Sequence, residues 1–228
     1  MTVEVSTKEL LVARDGLDVH KEKFAALNAQ VGVEVLPLAR QYNLRVSPNS
    51  DSAVAVEAQL GSALPTSLSW VSSPAGQTII WLGPDEWLII DTTNHTDFEA
   101  SLRAATKGHG AVVDQSGQRI SLLVTGDAPG LLAKGTALNL HPTVFPRGSA
   151  LQGFLARAVM IYLSRSENSS RIELLVRTSF ARYVADWLLD AALDPLAYPT
   201  PYGERARDRA APSATRAYPT PYGERACH

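Results

Sequence analysis

The stretch Thr78-Ile79-Ile80-Trp81-Leu82-Gly83-Pro84-Asp85-Glu86-Trp87-Leu88-Ile89-Ile90 decides the fold class of this chain. Two runs rich in β-branched and aromatic residues flank a Gly-Pro-Asp turn, which is typical of a β-hairpin. Parallel neighbours need a longer crossover than this turn provides, so the hairpin predicts antiparallel pairing. We expect Trp81 and Trp87 to fill the core, and we prefer this interpretation to a partner contact through Asp85 and Trp87.

The segments on either side of the hairpin alternate between strand and helix patterns. Much of 33–46 reads as strand, and Ser50 and Gly61 are placed to begin and end a helix whose apolar side holds Val54, Ala58 and Leu60. After the hairpin, the pattern predicts a helix over 97–105, strands over 111–114 and 120–124, a helix from 127 to 135, strands over 154–163 and 171–176, and a helix over 180–189 with Phe180, Val184, Trp187 and Leu188 facing the core.

This order of elements predicts an α+β fold. Repeated strand-helix-strand units would form antiparallel sheets, each with helices packed on one face. We expect an N-terminal extension over 1–32, the folded domain over 33–191, and a disordered tail over 192–228. In the tail, Ala-Tyr-Pro-Thr-Pro-Tyr-Gly-Glu-Arg-Ala at 197–206 recurs unchanged at 217–226, and we favour a duplicated segment without function over a docking motif.

Composition excludes several classes of partner. Lys and Arg total 21 against 23 Asp and Glu, so the net charge of −2 argues against binding nucleic acid. The single cysteine, Cys227, leaves no intrachain disulfide. No apolar run is long enough to cross a membrane, and the first ten residues lack a secretory pattern, so we expect a cytoplasmic protein.

Known catalytic and cofactor motifs are absent from the sequence. Ser116 lies in Asp-Gln-Ser-Gly-Gln, which is not a nucleophile elbow, and the Gly-His-Gly at 108–110 is followed by Val113 where a dinucleotide fingerprint needs glycine. The histidines show no metal-ligand spacing; they are His20, His95, His109, His141 and His228. We therefore predict no catalytic residue, no metal site and no cofactor bound by this chain.

Asp114, Ser116 and Arg119 form the best candidate ligand site. A carboxylate, a hydroxyl and a guanidinium lie near one loop between two strands, where they could bind an anionic or pterin-like ligand. The preferred alternative is structural: Asp114 accepts backbone N–H bonds in the turn, and Arg119 pairs with it.

Arg177 and Arg182 flank the start of the last helix and could reach carboxylates of a partner protein. Together with Asp85 and Trp87 they are the candidate interface residues. Basic residues on a helix surface are more often simply solvated, which is the alternative for this pair.

Four motifs follow one another in a fixed order along the middle of the chain. They are Trp-Leu-Gly-Pro-Asp-Glu-Trp-Leu at 81–88, Val-Asp-Gln-Ser at 113–116 with Arg119, Leu-Ala-Lys-Gly at 132–135 with Leu-Asn-Leu-His-Pro at 138–142, and the helix at 180–188. Together they resemble the sarcosine oxidase gamma subunit family over roughly 36–191. The stretch from Asp114 to Ala128 is also similar to the folate-binding aminomethyltransferases of glycine cleavage, which hold tetrahydrofolate in an α+β fold.

The resemblance implies a non-catalytic gamma subunit that supports assembly of heterotetrameric sarcosine oxidase. That complex demethylates sarcosine to glycine, formaldehyde (or methylene-tetrahydrofolate) and hydrogen peroxide. FAD, FMN, NAD and tetrahydrofolate would belong to the partner subunits alpha, beta and delta, with alpha in direct contact. The chain departs from the family at Thr136 and Ser149, where many relatives have cysteine, and at Asn139, where Asp is usual. The alternative is a stand-alone folate-binding or one-carbon-transfer protein.

Overall fold

The chain forms ten strands and five α-helices over the residues that the computed structural model describes, which are 14–27, 30–93, 95–107 and 109–193. The helices are α1 (Asp18–Ala25), α2 (Asp51–Leu60), α3 (Phe98–Ala105), α4 (Ala128–Ala133) and α5 (Ala181–Leu193), the last preceded by a 3-10 turn, Thr178–Phe180. The strands are β1 (Val31–Val35), β2 (Arg40–Val46), β3 (Trp70–Ser72), β4 (Thr78–Gly83), β5 (Glu86–Asp91), β6 (Gly110–Asp114), β7 (Arg119–Gly126), β8 (Ala150–Leu155), β9 (Ala158–Ser164) and β10 (Arg171–Arg177).

The strands form two five-stranded sheets. The first sheet has the order β1-β7-β10-β9-β8, and the second has the order β3-β4-β5-β2-β6. Every pair of neighbours is antiparallel. The hairpin predicted from the sequence is β4–β5, with Trp81 opposite Trp87. The predicted α+β class is therefore confirmed.

The two sheets pack face to face, and helices cover their outer faces. Alternate residues of β5 point to opposite sides: Trp87 and Ile89 pack with α2 and α3, whereas Leu88 and Ile90 pack against the first sheet. On the far side of the first sheet, α4 and α5 contact β10, and α1 contacts β1. We call the layer between the sheets the inter-sheet core; its buried residues are Trp70, Ile80, Leu88, Ile90, Ala150, Ile161, Leu163 and Leu175.

Helix α2 begins and ends where the sequence predicts. The Ser50 hydroxyl accepts a hydrogen bond from Ala53 N at 3.2 Å, and Gly61 ends the helix with a φ of 63°. The prediction of its apolar side is confirmed for Leu60, which is buried, and wrong for Val54, which is 60% exposed, and for Ala58, which is also exposed. The buried apolar residues keep a helical spacing of three or four; they are Ala53, Val56 and Leu60.

Two segments that were each predicted as one strand contain parts of two strands. The segment 33–46 holds the end of β1 and all of β2, which lie in different sheets. The segment 154–163 holds the end of β8 and most of β9, joined by a turn in which Ala156 has a φ of 51°. A non-glycine residue rarely adopts this left-handed conformation, and neither Ala156 nor Arg157 is a glycine or proline that would indicate a turn. No local signal in the sequence therefore indicates this turn. Strand β3 was not predicted.

The last helix differs from its prediction at its first residue. Phe180 lies in the 3-10 turn and is 42% exposed, so it does not face the core. Val184 and Leu188 are buried as predicted, and Trp187 is half-buried.

Two further features concern the ends of the domain and of the second sheet. Helix α1 lies within the predicted extension 1–32 and buries His20 and Phe24, and His20 Nε2 lies 2.9 Å from Asp186 Oδ1. The predicted tail lies outside the described residues, apart from its first two.

Strand β6 is the last strand of the second sheet, and four of its five residues are exposed. No helix among the described residues is long and apolar enough to span a membrane.

Candidate functional site

Asp114 and Ser116 form a closed local unit at the end of β6. Ser116 donates to Asp114 Oδ1 from its backbone N at 2.8 Å and from its hydroxyl at 2.5 Å. These hydrogen bonds hold the pKa of Asp114 below its usual range, so the side chain remains a carboxylate at neutral pH. The turn is fixed further because Gln115 N donates to Gln41 O at 2.7 Å. The predicted backbone role of Asp114 matches this geometry.

Arg119 begins β7 and does not pair with Asp114. Its Nη1 donates to Gln115 Oε1 at 3.0 Å, and no described ion pair includes it. The alternative in which Arg119 pairs with Asp114 was therefore wrong, because the amide of Gln115 takes that place. Burial of the half-buried guanidinium lowers the pKa of Arg119, and the positive charge of Arg177 lowers it further, against a smaller opposing effect of Glu86.

A row of four side chains crosses the end of the first sheet. Phe154 pairs with Val159, and Arg177 pairs with Arg119. The register of β9 with β10, in which Met160 pairs with Val176, places Val159 beside Arg177. We call this row the end row; its members are Phe154, Val159, Arg177 and Arg119.

The end row shares a face with the inter-sheet core but lies beyond it. Ile161 and Leu175 of that core are two residues along β9 and β10 from Val159 and Arg177, so they point to the same side of the sheet. Phe154 is 61% exposed and Val159 is 54% exposed, so the second sheet leaves this apolar pair open. Sequence reasoning missed both residues, because it did not separate β8 from β9.

A cavity of about 340 Å³ lies beside the turn at 115–118. Of the three predicted ligand residues, Ser116 and Arg119 line it and Asp114 does not. Asp15 is the one carboxylate among the described residues that line it, and that group contacts Lys21 Nζ at 2.6 Å and accepts from Leu17 N at 2.8 Å. The described residues that line it are Arg14, Asp15, Leu38, Ala39, Arg40, Ser116, Gly117, Arg119, Ile120 and Thr178. Three arginines thus line the cavity, and one of them, Arg40, donates from Nη1 to His95 O at 3.1 Å.

The predicted interface residues occupy different surroundings. Asp85 is exposed on the β4–β5 turn and lies 3.7 Å from Arg45. Trp87 is only 4% exposed, and its Nε1 donates to Pro65 O at 2.9 Å. Its indole is thus occupied by the chain's own core, and the prediction that Trp87 contacts a partner was wrong. Arg177 and Arg182 are exposed, and Arg182 Nε donates to Gly16 O at 3.3 Å.

Metal ligation has no geometric basis in this part of the molecule. Across the ranges that the structure describes, no three His, Cys, Asp or Glu side chains are grouped closely enough to hold a metal ion. The chemistry that the described site offers is electrostatic: fixed guanidinium groups beside a cavity and an exposed apolar pair.

Comparison with known proteins gives a consistent family. Residues 46–194 match the model of the sarcosine oxidase, gamma subunit family. A sarcosine oxidase subunit gamma from Corynebacterium sp. (strain U-96) is 33% identical over 153 residues, covering 66% of this chain and 74% of that protein. One from Arthrobacter sp. is 33% identical over 178 residues, covering 75% and 86%.

Two solved structures share the fold. Heterotetrameric sarcosine oxidase from Corynebacterium sp. U-96, in complex with pyrrole 2-carboxylate, contains a chain that matches with a TM-score of 0.73 and 26% identity, covering 80% of this chain and 95% of that one. The glycine cleavage system aminomethyltransferase T from Bartonella henselae matches with a TM-score of 0.51 and 14% identity, covering 75% and 48%. The second likeness concerns the fold alone.

Proposed function

The chain belongs to the sarcosine oxidase gamma subunit family, and from this premise we propose that it is the gamma subunit of a heterotetrameric sarcosine oxidase. The observation that carries the proposal is the extent of the match. The chain covers 95% of one chain of a heterotetrameric sarcosine oxidase, so the likeness extends over almost the whole of that subunit.

In this role the chain supports assembly and the partner subunits carry out the oxidation. Oxidising an N-methyl amine requires an acceptor for two electrons, which cofactors supply in enzymes of this kind. We assign FAD, FMN, NAD and tetrahydrofolate to the alpha, beta and delta subunits. This chain contributes two packed sheets that hold a fixed surface toward its neighbours.

The surface that we assign to the alpha subunit is the exposed half of the end row. Phe154 and Val159 form an apolar pair, and Arg177 beside them adds a positive charge. An aromatic anchor bordered by charged groups is the usual composition of an interface centre and its rim. Asp85 and Arg182 remain predicted contacts with a partner.

The ligand role of Asp114, Ser116 and Arg119 remains a prediction, and we now limit the ligand contacts to Ser116 and Arg119. The Asp114 carboxylate is occupied by Ser116, and only Ser116 and Arg119 line the cavity. The stand-alone folate-binding alternative is not favoured, because the relatives at 33% identity are gamma subunits and the aminomethyltransferase likeness is one of fold. Quenching of tryptophan fluorescence by tetrahydrofolate in the isolated chain would revive it.

Co-purification tests the proposed function. The chain is tagged, expressed together with its chromosomal neighbours, and purified through the tag. The expected product is a yellow complex with a flavin absorption spectrum that releases hydrogen peroxide when sarcosine is added. The control is the same co-expression with the tag on an unrelated protein. A colourless single chain would refute the assignment.

A further inference from the structure

Arg119 carries a positive charge that no carboxylate of the described residues pairs with at ion-pair distance, and the effect of Glu86 on it is smaller than that of Arg177. Its guanidinium has five N–H donors, and its one recorded hydrogen bond goes to the neutral amide of Gln115. The residue opposite it on the neighbouring strand is Arg177, a second cation. Like charges directly opposite each other in a sheet are destabilising, and a partly buried cation gains most from a bound counter-charge.

The space next to Arg119 suits a small anion. Three of the residues that line the cavity of about 340 Å³ are arginines: Arg14, Arg40 and Arg119. Asp15, the carboxylate that lines it in the described part of the chain, already contacts Lys21 Nζ at 2.6 Å. The volume lies at the lower end of the range for small-molecule sites in proteins.

Three apolar residues also line the cavity, next to the polar Ser116 and Thr178. Leu38, Ala39 and Ile120 line it along with the arginines. A ligand that matches this lining has a charged end and an apolar body. A planar guanidinium fits a carboxylate with two parallel hydrogen bonds, which favours a carboxylate as the charged end.

We propose that this cavity binds a small organic carboxylate, with the carboxylate held by Arg119 and the apolar body lying against Leu38 and Ile120. The bound carboxylate also relieves the repulsion between Arg119 and Arg177. The site concerns this chain alone and does not depend on the proposed assembly.

The test uses the full chain and benzoate as the probe, with binding measured by isothermal titration and by the rise in melting temperature. Benzamide has the same shape without the charge and is expected to bind at least tenfold more weakly. Inorganic phosphate, with charge and no apolar body, is also expected to bind at least tenfold more weakly. Equal binding of benzoate and benzamide would overturn the role of the charge, and equal binding of benzoate and phosphate would overturn the ligand class.

Variants locate the site. Arg119→Gln is expected to weaken benzoate binding at least tenfold, whereas Arg171→Gln, at the opposite and exposed end of β10, should change it less than twofold. Leu38→Glu is a second variant, at a residue that is 42% exposed. It allows the proposal to be tested even if Arg119→Gln does not fold. The new carboxylate should compete with benzoate and reduce its affinity at least tenfold. Unchanged affinity in Leu38→Glu or in folded Arg119→Gln would overturn the proposal.

One further arm separates a small molecule from a partner's carboxylate. Benzoate binding is measured on the free chain and on the co-purified complex, at the same ionic strength. Binding in both supports the proposal. Binding to the free chain that is lost in the complex would overturn it, since a carboxylate of a neighbouring subunit would then occupy the cavity.

Discussion

Arg119 and Arg177 stand directly opposite each other on β7 and β10, in an antiparallel pair whose register is continuous from Arg171 to Arg177. Thr178, which follows Arg177, holds this arrangement: its N donates to Gln118 O at 2.9 Å and its Oγ1 donates to Gly117 O at 2.8 Å. Two arginines are thereby held at opposed positions at the end of the first sheet, where the charge of Arg177 disfavours the charge of Arg119.

Removing one of these charges should stabilise the free chain. We expect Arg177→Gln to raise the free energy of unfolding by about 0.2–1 kcal/mol, because it abolishes a like-charge cross-strand pair. Urea unfolding at low salt measures this effect, and 1 M NaCl should shrink it by screening. Arg171→Gln on the same strand is the control and should lack the salt-dependent gain. A loss of stability in Arg177→Gln would contradict the expectation.

The ion pair of Arg165 with Glu173 is costly to break. Glu173 is buried, Arg165 Nε donates to its Oε2 at 2.7 Å, and the guanidinium lies 4.1 Å from the ring centre of Trp70. We expect Arg165→Met to lower the free energy of unfolding by about 3–5 kcal/mol, because it leaves a buried carboxylate without its partner. The double variant Arg165→Met with Glu173→Leu should recover most of this loss. Additive losses in urea unfolding would contradict the explanation.

Gly135 is required by the position of Trp187. A Cβ built on Gly135 would overlap the indole and lie 2.8 Å from Trp187 Cη2. We expect Gly135→Ala to destabilise the chain by about 1–3 kcal/mol, the usual cost of overpacking. The same substitution in a Trp187→Leu background should cost much less, because the ring is gone. An equal cost in both backgrounds, measured by thermal unfolding, would point to the backbone of Gly135.

Tyr162 should make the stability depend on pH in the alkaline range. Burial raises the pKa of Tyr162 to about 12, whereas an unfolded tyrosine titrates near pH 10. Between about pH 10 and 12 the unfolded chain therefore holds fewer protons than the folded chain, and the free energy of unfolding falls as the pH rises.

Tyr162→Phe should make this fall shallower by up to about 1.4 kcal/mol per pH unit. The variant also loses the hydrogen bond from the Tyr162 hydroxyl to Phe154 O, at about 1 kcal/mol at neutral pH. Urea unfolding at a series of pH values checks both effects. Part of the fall should persist, because burial also raises the pKa of Tyr42. If the free energy of unfolding fell equally steeply with pH in Tyr162→Phe, the raised pKa of Tyr162 would not be its cause.

Phe154 gives a direct test of the surface assigned to the alpha subunit. We expect Phe154→Asp to reduce the amount of co-purified partner at least tenfold while the free chain keeps its melting temperature within a few degrees, because the side chain is exposed. Val54→Asp is the matched control: Val54 is equally exposed but lies on α2, over the second sheet, and should leave co-purification unchanged. Equal losses in the two variants would place the contact elsewhere.

Local signals explain what the sequence could predict. The β4–β5 hairpin and the ends of α2 follow from residues whose chemistry acts within a few positions, such as Pro84, Ser50 and Gly61. The turn between β8 and β9 was missed because Ala156 adopts a left-handed conformation that its side chain does not favour. That turn is fixed by tertiary packing and not by a local conformational preference of its residues.

The candidate site was predictable only in part, for a different reason. The closure of Asp114 by Ser116 is local and follows from sequence spacing. The pairing of Arg119 with Arg177 depends on the register of two strands far apart in the chain, and register is set by the whole hydrophobic pattern of both sheets. For the same reason, a prediction from spacing alone paired Arg119 with the nearby Asp114.

Strand β6 ends the second sheet with one side of its backbone unpaired among the described strands. Such a row of free N–H and C=O groups is a template for pairing with another chain, and the exposed Val113 adds an apolar contact to it. Asp114, ionised at the end of the strand, acts as a gatekeeper by placing a charge where two such edges would meet. A chain made in excess of its neighbours thus carries an aggregation liability, which gives a physical reason for producing the subunits of the proposed complex in matched amounts.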